Sequence, residues 1–222
     1  MAVTLSKLAG IHYFAGLTHD EIREVKKYIA FEKRIGKGET LLFEGDRSEY
    51  IYFVISGAVK VYKRSANGKE QILNIATFGE SLNDVSTFDG GGTAANMLAM
   101  TPVRLYAVKM QDMERLFAEN LRIARNVARV LASRVRRDSS LVEQLSFDQV
   151  IGRLARLILK QVAASGGDRP PPFTQQDLAA MVGTSRVVVN RSLRAMEEKG
   201  AIRLERRRIV ITDEAALRNL VV

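Results

Sequence analysis

The chain has 222 residues, 46% of them hydrophobic, which is enough for two domains with separate cores and too apolar for a disordered chain. It contains no cysteine, which excludes disulfides, thiolate metal sites and cysteine-ligated iron–sulfur clusters. Its formal net charge is +9, and residues 146–222 carry +5 of it, a bias that points to a polyanionic partner. No apolar run approaches the roughly 18 residues of a membrane helix. Residues 1–10 lack the apolar stretch of a signal peptide, so a cytoplasmic location with no membrane partner is expected.

The first element is announced by Thr18-His19-Asp20-Glu21, a capping box that opens a short helix through Ile22, Val25 and Ile29. From residue 36 the texture changes. Glycines fall at 36, 38, 45, 57, 68, 79 and 90, mostly 11 residues apart. Between them lie strand-like runs: Thr40–Phe43, Tyr50–Ile55, Ala58–Tyr62, Gln71–Ile75, Ala94–Met100 and Val103–Val108. Asn67-Gly68 is a two-residue hairpin signal, and short strands at this spacing predict an antiparallel sandwich or barrel.

Beyond Met110 the pattern is helical. Ile123, Val127, Val130, Leu131, Val135, Leu141, Val142 and Leu145 fall within a stripe about 120° wide. Such a helix after a β domain buries its stripe against a second copy or against the β domain, and the dimer is the favoured reading, with Ile123, Val127, Val130, Leu131 and Val135 as its interface. Arg122, Arg125, Arg129, Arg136 and Arg137 flank the stripe and read as a solvated face. Asp138 lies inside it, so its carboxylate requires a partner, water or a function. Ser146-Phe147-Asp148 is a candidate hinge, and Ser165–Pro172 breaks the following helix into a surface loop. The expected domains are therefore 1–110, 111–145 and 146–222, in an α+β chain.

The last segment carries the chemistry. Thr174-Gln175-Gln176-Asp177 is a second capping box, whose helix holds Leu178, Ala179 and Val182. Gly183 supplies a turn. A second helix starts near Ser185, with Val188, Leu193 and Met196 on its apolar side, and ends before Gly200. Two short helices about a glycine turn predict a helix-turn-helix. Ser185, Arg186, Asn190, Arg191 and Arg194 then face outward. Arginine can donate twice to guanine O6 and N7, and asparagine can pair with adenine, so double-stranded DNA is the partner these side chains suit. Alternation through Ala201–Ile211 about Arg206, Arg207 and Arg208 predicts a β-hairpin wing set for phosphates.

With these residues in place the chain resembles the catabolite-activator and fumarate–nitrate-reduction (Crp/Fnr) regulator family over nearly its whole length. Residues Gln176–Arg186 and Asn190–Leu193 are similar to the family's helix-turn-helix. Phe14–Leu17, Leu42–Asp46, Ile55–Tyr62 and Asp89–Gly91 match its sensor pattern. The resemblance implies a cyclic-nucleotide-type β-roll (jelly roll), a long dimerisation helix and a C-terminal winged helix-turn-helix. It further implies a homodimer on a two-fold-symmetric site and an effector-driven rotation transmitted by the long helix. The family's activators touch RNA polymerase through the loop matching Ser165–Pro172, which favours activation. Thr174, Gln175, Ser185, Arg186, Val187, Asn190, Arg191 and Arg206–Arg208 are the expected DNA contacts. Val187 stands where the catabolite activator has an acidic base-reading residue, and Arg186–Arg191 looks more like the nitrogen-control branch. Valine cannot accept from cytosine N4 but can touch a thymine methyl, so a different half-site is expected.

The sensor departs from the cyclic-AMP pattern. Asn83-Asp84-Val85 replaces the family's Gly-Glu-Leu, and Gly91-Gly92-Thr93-Ala94 lacks the arginine of its Arg-Ser/Thr-Ala. Asp138 falls near the family's adenine-contacting hydroxyl. A buried cyclic phosphate would have no cation to pair with, so no cyclic-AMP response is expected. Asp84, Val85, Thr93, Ala94 and Asp138 are candidates to line a pocket for another ligand or a pocket with none. Haem sensing needs an axial ligand, for which only His12 and His19 offer imidazole, and His12 reads first as a surface histidine. No cofactor is otherwise indicated. A cupin-type metalloenzyme would need ligands inside the barrel, yet both histidines precede it. A ligand-binding module docking on a protein partner is the remaining alternative, against which the basic wing argues.

Overall fold

The computed structural model describes residues 3–163, 173–205 and 208–221. They form two compact units, residues 1–63 with 74–137 and residues 64–73 with 138–222.

The first unit opens with α1 (Leu5–Ala9), a 3-10 turn at His12–Phe14 and α2 (His19–Lys27). The capping box at α2 is complete: the Glu21 amide donates to Thr18 Oγ1 at 3.3 Å, and the Thr18 amide donates to Glu21 Oε2 at 2.6 Å. The helix ends at Tyr28, so Ile29 is not in it. Ile29 instead begins β1 (Ile29–Ile35), which pairs antiparallel with a strand about 75 residues later (Ile29 opposite Val108), a non-local pairing that overrides the local helical pattern. The chain continues through β2 (Thr40–Leu42), β3 (Tyr50–Ser56), β4 (Val59–Arg64), β5 (Glu70–Ala76), β6 (Ser81–Leu82), α3 (Asp84–Asp89), β7 (Asn96–Ala99) and β8 (Val103–Lys109). Two four-stranded sheets result, in the orders β1-β8-β3-β6 and β2-β7-β4-β5.

The apolar run in β3 explains the layering. A strand buried on both faces sends alternate side chains to opposite sides. Ile51, Phe53 and Ile55 join one core with Tyr13, Phe14, Tyr106, Val108 and Met113, while Tyr52 and Val54 join a second with Val59, Met97, Leu105 and Ala107. The first core lies between sheet and helices, the second between the two sheets. Gly57, which joins β3 to β4, has φ +88°, and a Cβ there would sit 2.3 Å from the Pro102 carbonyl, so only glycine fits.

The helical segment expected over 111–145 is two helices, α4 (Met110–Glu119) and α5 (Leu121–Phe147). Asn120 breaks them: its backbone is extended, and its side-chain oxygen accepts from the Arg122 amide at 3.0 Å. At 27 residues, α5 is about 40 Å long.

The second unit contains α6 (Val150–Ala163), α7 (Gln175–Val182), α8 (Arg186–Glu198), β9 (Ile202–Glu205), β10 (Arg208–Ile211) and α9 (Glu214–Arg218). Leu154, Ile158, Leu178, Val182, Val189, Leu193, Met196 and Leu217 form its core. Among the described residues, no helix is long and apolar enough to cross a membrane.

Candidate nucleic-acid interface and sensor pocket

The helix-turn-helix is built from its caps. Thr174 caps α7, accepting from the Asp177 amide at 3.1 Å while Asp177 Oδ2 accepts from the Thr174 amide at 3.0 Å. Gly183 ends α7 with φ +70°, a left-handed turn natural to glycine. Ser185 caps α8 and accepts from the Val188 amide at 3.4 Å. Val189, Ser192, Leu193 and Met196 are buried on one side of α8. The opposite face carries Val187, Asn190, Arg191, Arg194 and Glu198 at helical spacing, and Arg186 stands at the N-terminal end. Val187 is 77% exposed. Among the described residues, Arg186, Arg191 and Arg194 form no ion pair. Thr174 and Gln175 are exposed at the start of α7. β9 and β10 pair antiparallel with Glu205 opposite Arg208, which supplies the hairpin expected for a wing. Arg206, Arg207 and the Arg208 side chain, like the Ser165–Pro172 loop, lie outside the described residues.

The sensor pocket has its polar groups matched from within. Asp84, the first residue of α3, is 2% exposed. Its carboxylate accepts from the Tyr13 hydroxyl at 2.5 Å, from the Ser81 hydroxyl at 2.8 Å and from Arg134 Nη1 at 2.5 Å. Arg134 comes from α5, and its Nη2 also donates to the Ser81 carbonyl at 2.7 Å and to Ser81 Oγ at 2.8 Å. Burial alone would raise the Asp84 carboxyl, but the Arg134 charge and the three donors outweigh it and hold the group below its ordinary range. The Tyr13 phenol is pushed far up by burial and by the Asp84 charge, so it stays protonated as a donor.

Asn83 organises the rest of this pocket. It sits in the left-handed region at φ +63°, a conformation asparagine tolerates better than most non-glycine residues. Its amide donates to the Tyr50 carbonyl at 2.9 Å, and its side-chain oxygen accepts from Ser86 at 2.5 Å and Thr93 at 3.0 Å. The buried Thr93 hydroxyl is therefore engaged. Val85 and Ala94 are exposed, and so is Asp138.

Along α5 the apolar positions divide into two adjacent faces. Ile123 and Val127 are buried in the sensor core, and Val130 and Leu131 pack partly against it. Arg134 follows Ile123 by 11 residues, three helical turns, and so continues that inner face. This corrects the sequence-based interface: Ile123 and Val127 are covered by their own chain and present no surface to a second copy. Val135 is 65% exposed, and Val142 63%. The second face reads Ala124, Ala128, Leu131, Val135, Asp138, Val142 and Leu145, spaced alternately by four and three residues.

Residues 32–120 match the model of the cyclic nucleotide-binding domain, and residues 152–220 that of the Crp-like helix-turn-helix domain. A CRP-like cAMP-activated global transcriptional regulator of Mycobacterium tuberculosis is 30% identical over 82% of this chain and 84% of its own. The chain belongs to the Crp/Fnr family of transcription regulators. The cyclic AMP receptor protein of Thermus thermophilus is also 30% identical, over 96% of this chain and 98% of its own. Among solved structures, FixK2 from Bradyrhizobium japonicum superposes with a TM-score of 0.75 at 22% identity, covering 86% of this chain and 97% of that one. A CooA mutant from Carboxydothermus hydrogenoformans gives 0.77 at 18%, covering 100% and 97%. Relatives in this Crp/Fnr group are transcription regulators rather than enzymes.

Within the family frame, the sequence reading missed Arg134, Tyr13 and Ser81. The available signal was an arginine in register with Ile123, Val127 and Val130, where a cation needs a buried anion. His12 and His19 are both exposed, and no group of three or more potential metal ligands occurs among the described residues. Arg122 and Arg129 are exposed as a solvated face would be, yet each donates to the protein: Arg122 to the Gly16 carbonyl and Arg129 to Asn126 Oδ1 at 3.4 Å.

Proposed function

We propose that this Crp/Fnr regulator acts as a homodimer on a two-fold-symmetric promoter site, predominantly as an activator. Cyclic AMP does not control it. The observation that carries the DNA reading is the outer face of α8, where Arg186, Arg191 and Arg194 stand exposed, without ion pairs among the described residues, beside a half-buried Asn190 and a solvent-facing Val187. Arg186 and Arg191 read guanine edges, and Val187 contacts a thymine methyl. The β9–β10 wing and the Thr174 cap serve phosphates. The second face of α5, from Ala124 to Leu145, has the four-three spacing of a two-stranded coiled coil, and a second copy of α5 covers it.

A cyclic nucleotide does not fit the sensor. Its anionic phosphate needs a cation, and the arginine in this pocket, Arg134, already pairs with Asp84. The Gly91–Ala94 segment offers none. Either a different effector or protein abundance alone sets activity. The curated relatives named as cyclic-AMP-activated therefore share the fold but not this part of the chemistry.

The test is fluorescence anisotropy of the purified chain on its own upstream promoter DNA and on a scrambled duplex, at two salt concentrations. Preference for the promoter that weakens steeply with salt is the expected result. Equal binding to both duplexes, or none, that persists when candidate effectors are added contradicts it. Loss of RNA polymerase recruitment on deletion of Ser165–Pro172 would support activation.

A further inference from the structure

We propose that a cleft on the sensor unit, where the Tyr13–Gly16 turn meets the first turns of α5, binds a small phosphate-bearing polyanion. The cleft has a volume of about 590 Å³. That lies within the roughly 300–1,000 Å³ common for small-molecule sites. Arg122, Arg125 and Arg129 line it, three and four residues apart on one face of α5.

The guanidinium groups are set by neutral acceptors rather than by carboxylates. Arg122 donates to the carbonyl of Gly16, whose φ of +74° shapes the turn. Arg129 donates to Asn126 Oδ1. Asn126 is itself buried, and its amide donates to the Tyr13 carbonyl at 3.1 Å and the Ala15 carbonyl at 2.9 Å. The donors are thus held in place without an ion pair among the described residues, and three guanidiniums against the two carboxylates of the cleft leave it a net charge of +1. Arg125, between them, forms no ion pair among the described residues. Two carboxylates reach the cleft, and both are engaged. Glu21 accepts from the Thr18 amide at 2.6 Å and from Asn120 at 2.7 Å, and Glu119 accepts from the Tyr28 hydroxyl at 3.2 Å.

Three planar forks around one cleft suit a ligand with more acceptor oxygens than the two of a single carboxylate, which a phosphate group provides. The residues lining the cleft are distinct from Asp84, Ser81 and Arg134, and Tyr13 turns its hydroxyl to Asp84 and its backbone carbonyl to Asn126, so the cleft is a second site on the same helix. Its occupant would clamp the Tyr13–Gly16 turn to α5.

The experiment is calorimetric titration of pyrophosphate into the full chain at low ionic strength, where charge-assisted pairing is least screened. Wild type, Arg125→Gln and Arg136→Gln are compared. Arg136 carries the same charge on the same helix outside the cleft, and Arg125 has no structural partner to lose. Saturable binding of one pyrophosphate per chain is expected, weakened about tenfold by Arg125→Gln and unchanged by Arg136→Gln. Absence of saturation, equal weakening by both variants, or displacement of pyrophosphate by promoter DNA would overturn the proposal. The second result would reveal only the diffuse field of a basic chain, and the third would place the anion on α8.

Discussion

The outer face of α8 and the Asp84 pocket are both rich in charge, and they treat it in opposite ways. On α8 the arginines are exposed, carry no acidic partner among the described residues and surround an uncovered valine. In the pocket the charges are matched: the buried Asp84 by Arg134, the partly buried Arg134 by Asp84 and Ser81, and the tyrosine hydroxyl by Asp84. A surface that recognises a polyanion keeps donors unmatched until the partner arrives. A pocket whose donors and acceptors already satisfy one another gains little from a polar ligand, because any new hydrogen bond must displace an old one. Charge alone therefore does not mark a binding site, whereas unmet charge does.

The contrast can be broken most strongly at Asp84. Asp84→Asn leaves the partly buried Arg134 cation without a counter-charge, and a loss of up to about 3–5 kcal/mol of sensor-unit stability is expected in denaturant unfolding. The double variant Asp84→Leu with Arg134→Met removes both charges and recovers much of that loss. If the double variant were as unstable as the sum of the two single changes, the pair would not be coupled.

A change on α8 acts on binding instead of folding. Arg186→Ala is expected to cost about 1–3 kcal/mol on the specific duplex and to relax the preference at one base position, with the melting temperature unchanged. Equal weakening on specific and scrambled DNA would show that Arg186 reaches only phosphate.

The smallest effect is in the pH dependence. Because the Asp84 carboxyl is held below its ordinary value of 3.8 in the folded chain, its contribution is full above that value and fades as the pH falls through the lower folded value. Acid unfolding of wild type should therefore steepen below about pH 4, and Asp84→Asn should flatten that limb. Parallel acid limbs in the two proteins would show that the carboxylate is not the group responsible.

What could be read from sequence followed the range of the interactions. The caps at Thr18 and Thr174, and the start of α8 near Ser185, were legible because each is closed within three residues. The glycine spacing gave the strands for a similar reason, since turns are local. β1 was not legible: Ile29–Ile35 becomes a strand by pairing with β8. The Asp84–Arg134 pair spans 50 residues and depends on α5 lying against β6 and α3, which no local pattern encodes. The two faces of α5 were merged for a geometric reason. Ile123, Val127 and Val130 lie beside Ala124, Leu131 and Val135 on the helical wheel, and both sets are apolar. Only the packing separates the inner face from the outer one.

The decisive measurement is promoter affinity with and without cyclic AMP, read by anisotropy on the same protein sample. An open recognition helix with a closed sensor pocket requires specific, salt-sensitive binding that cyclic AMP leaves unchanged. A promoter affinity that rises on addition of cyclic AMP would contradict it, because the nucleotide would then have found the cation that Asp84 is said to hold.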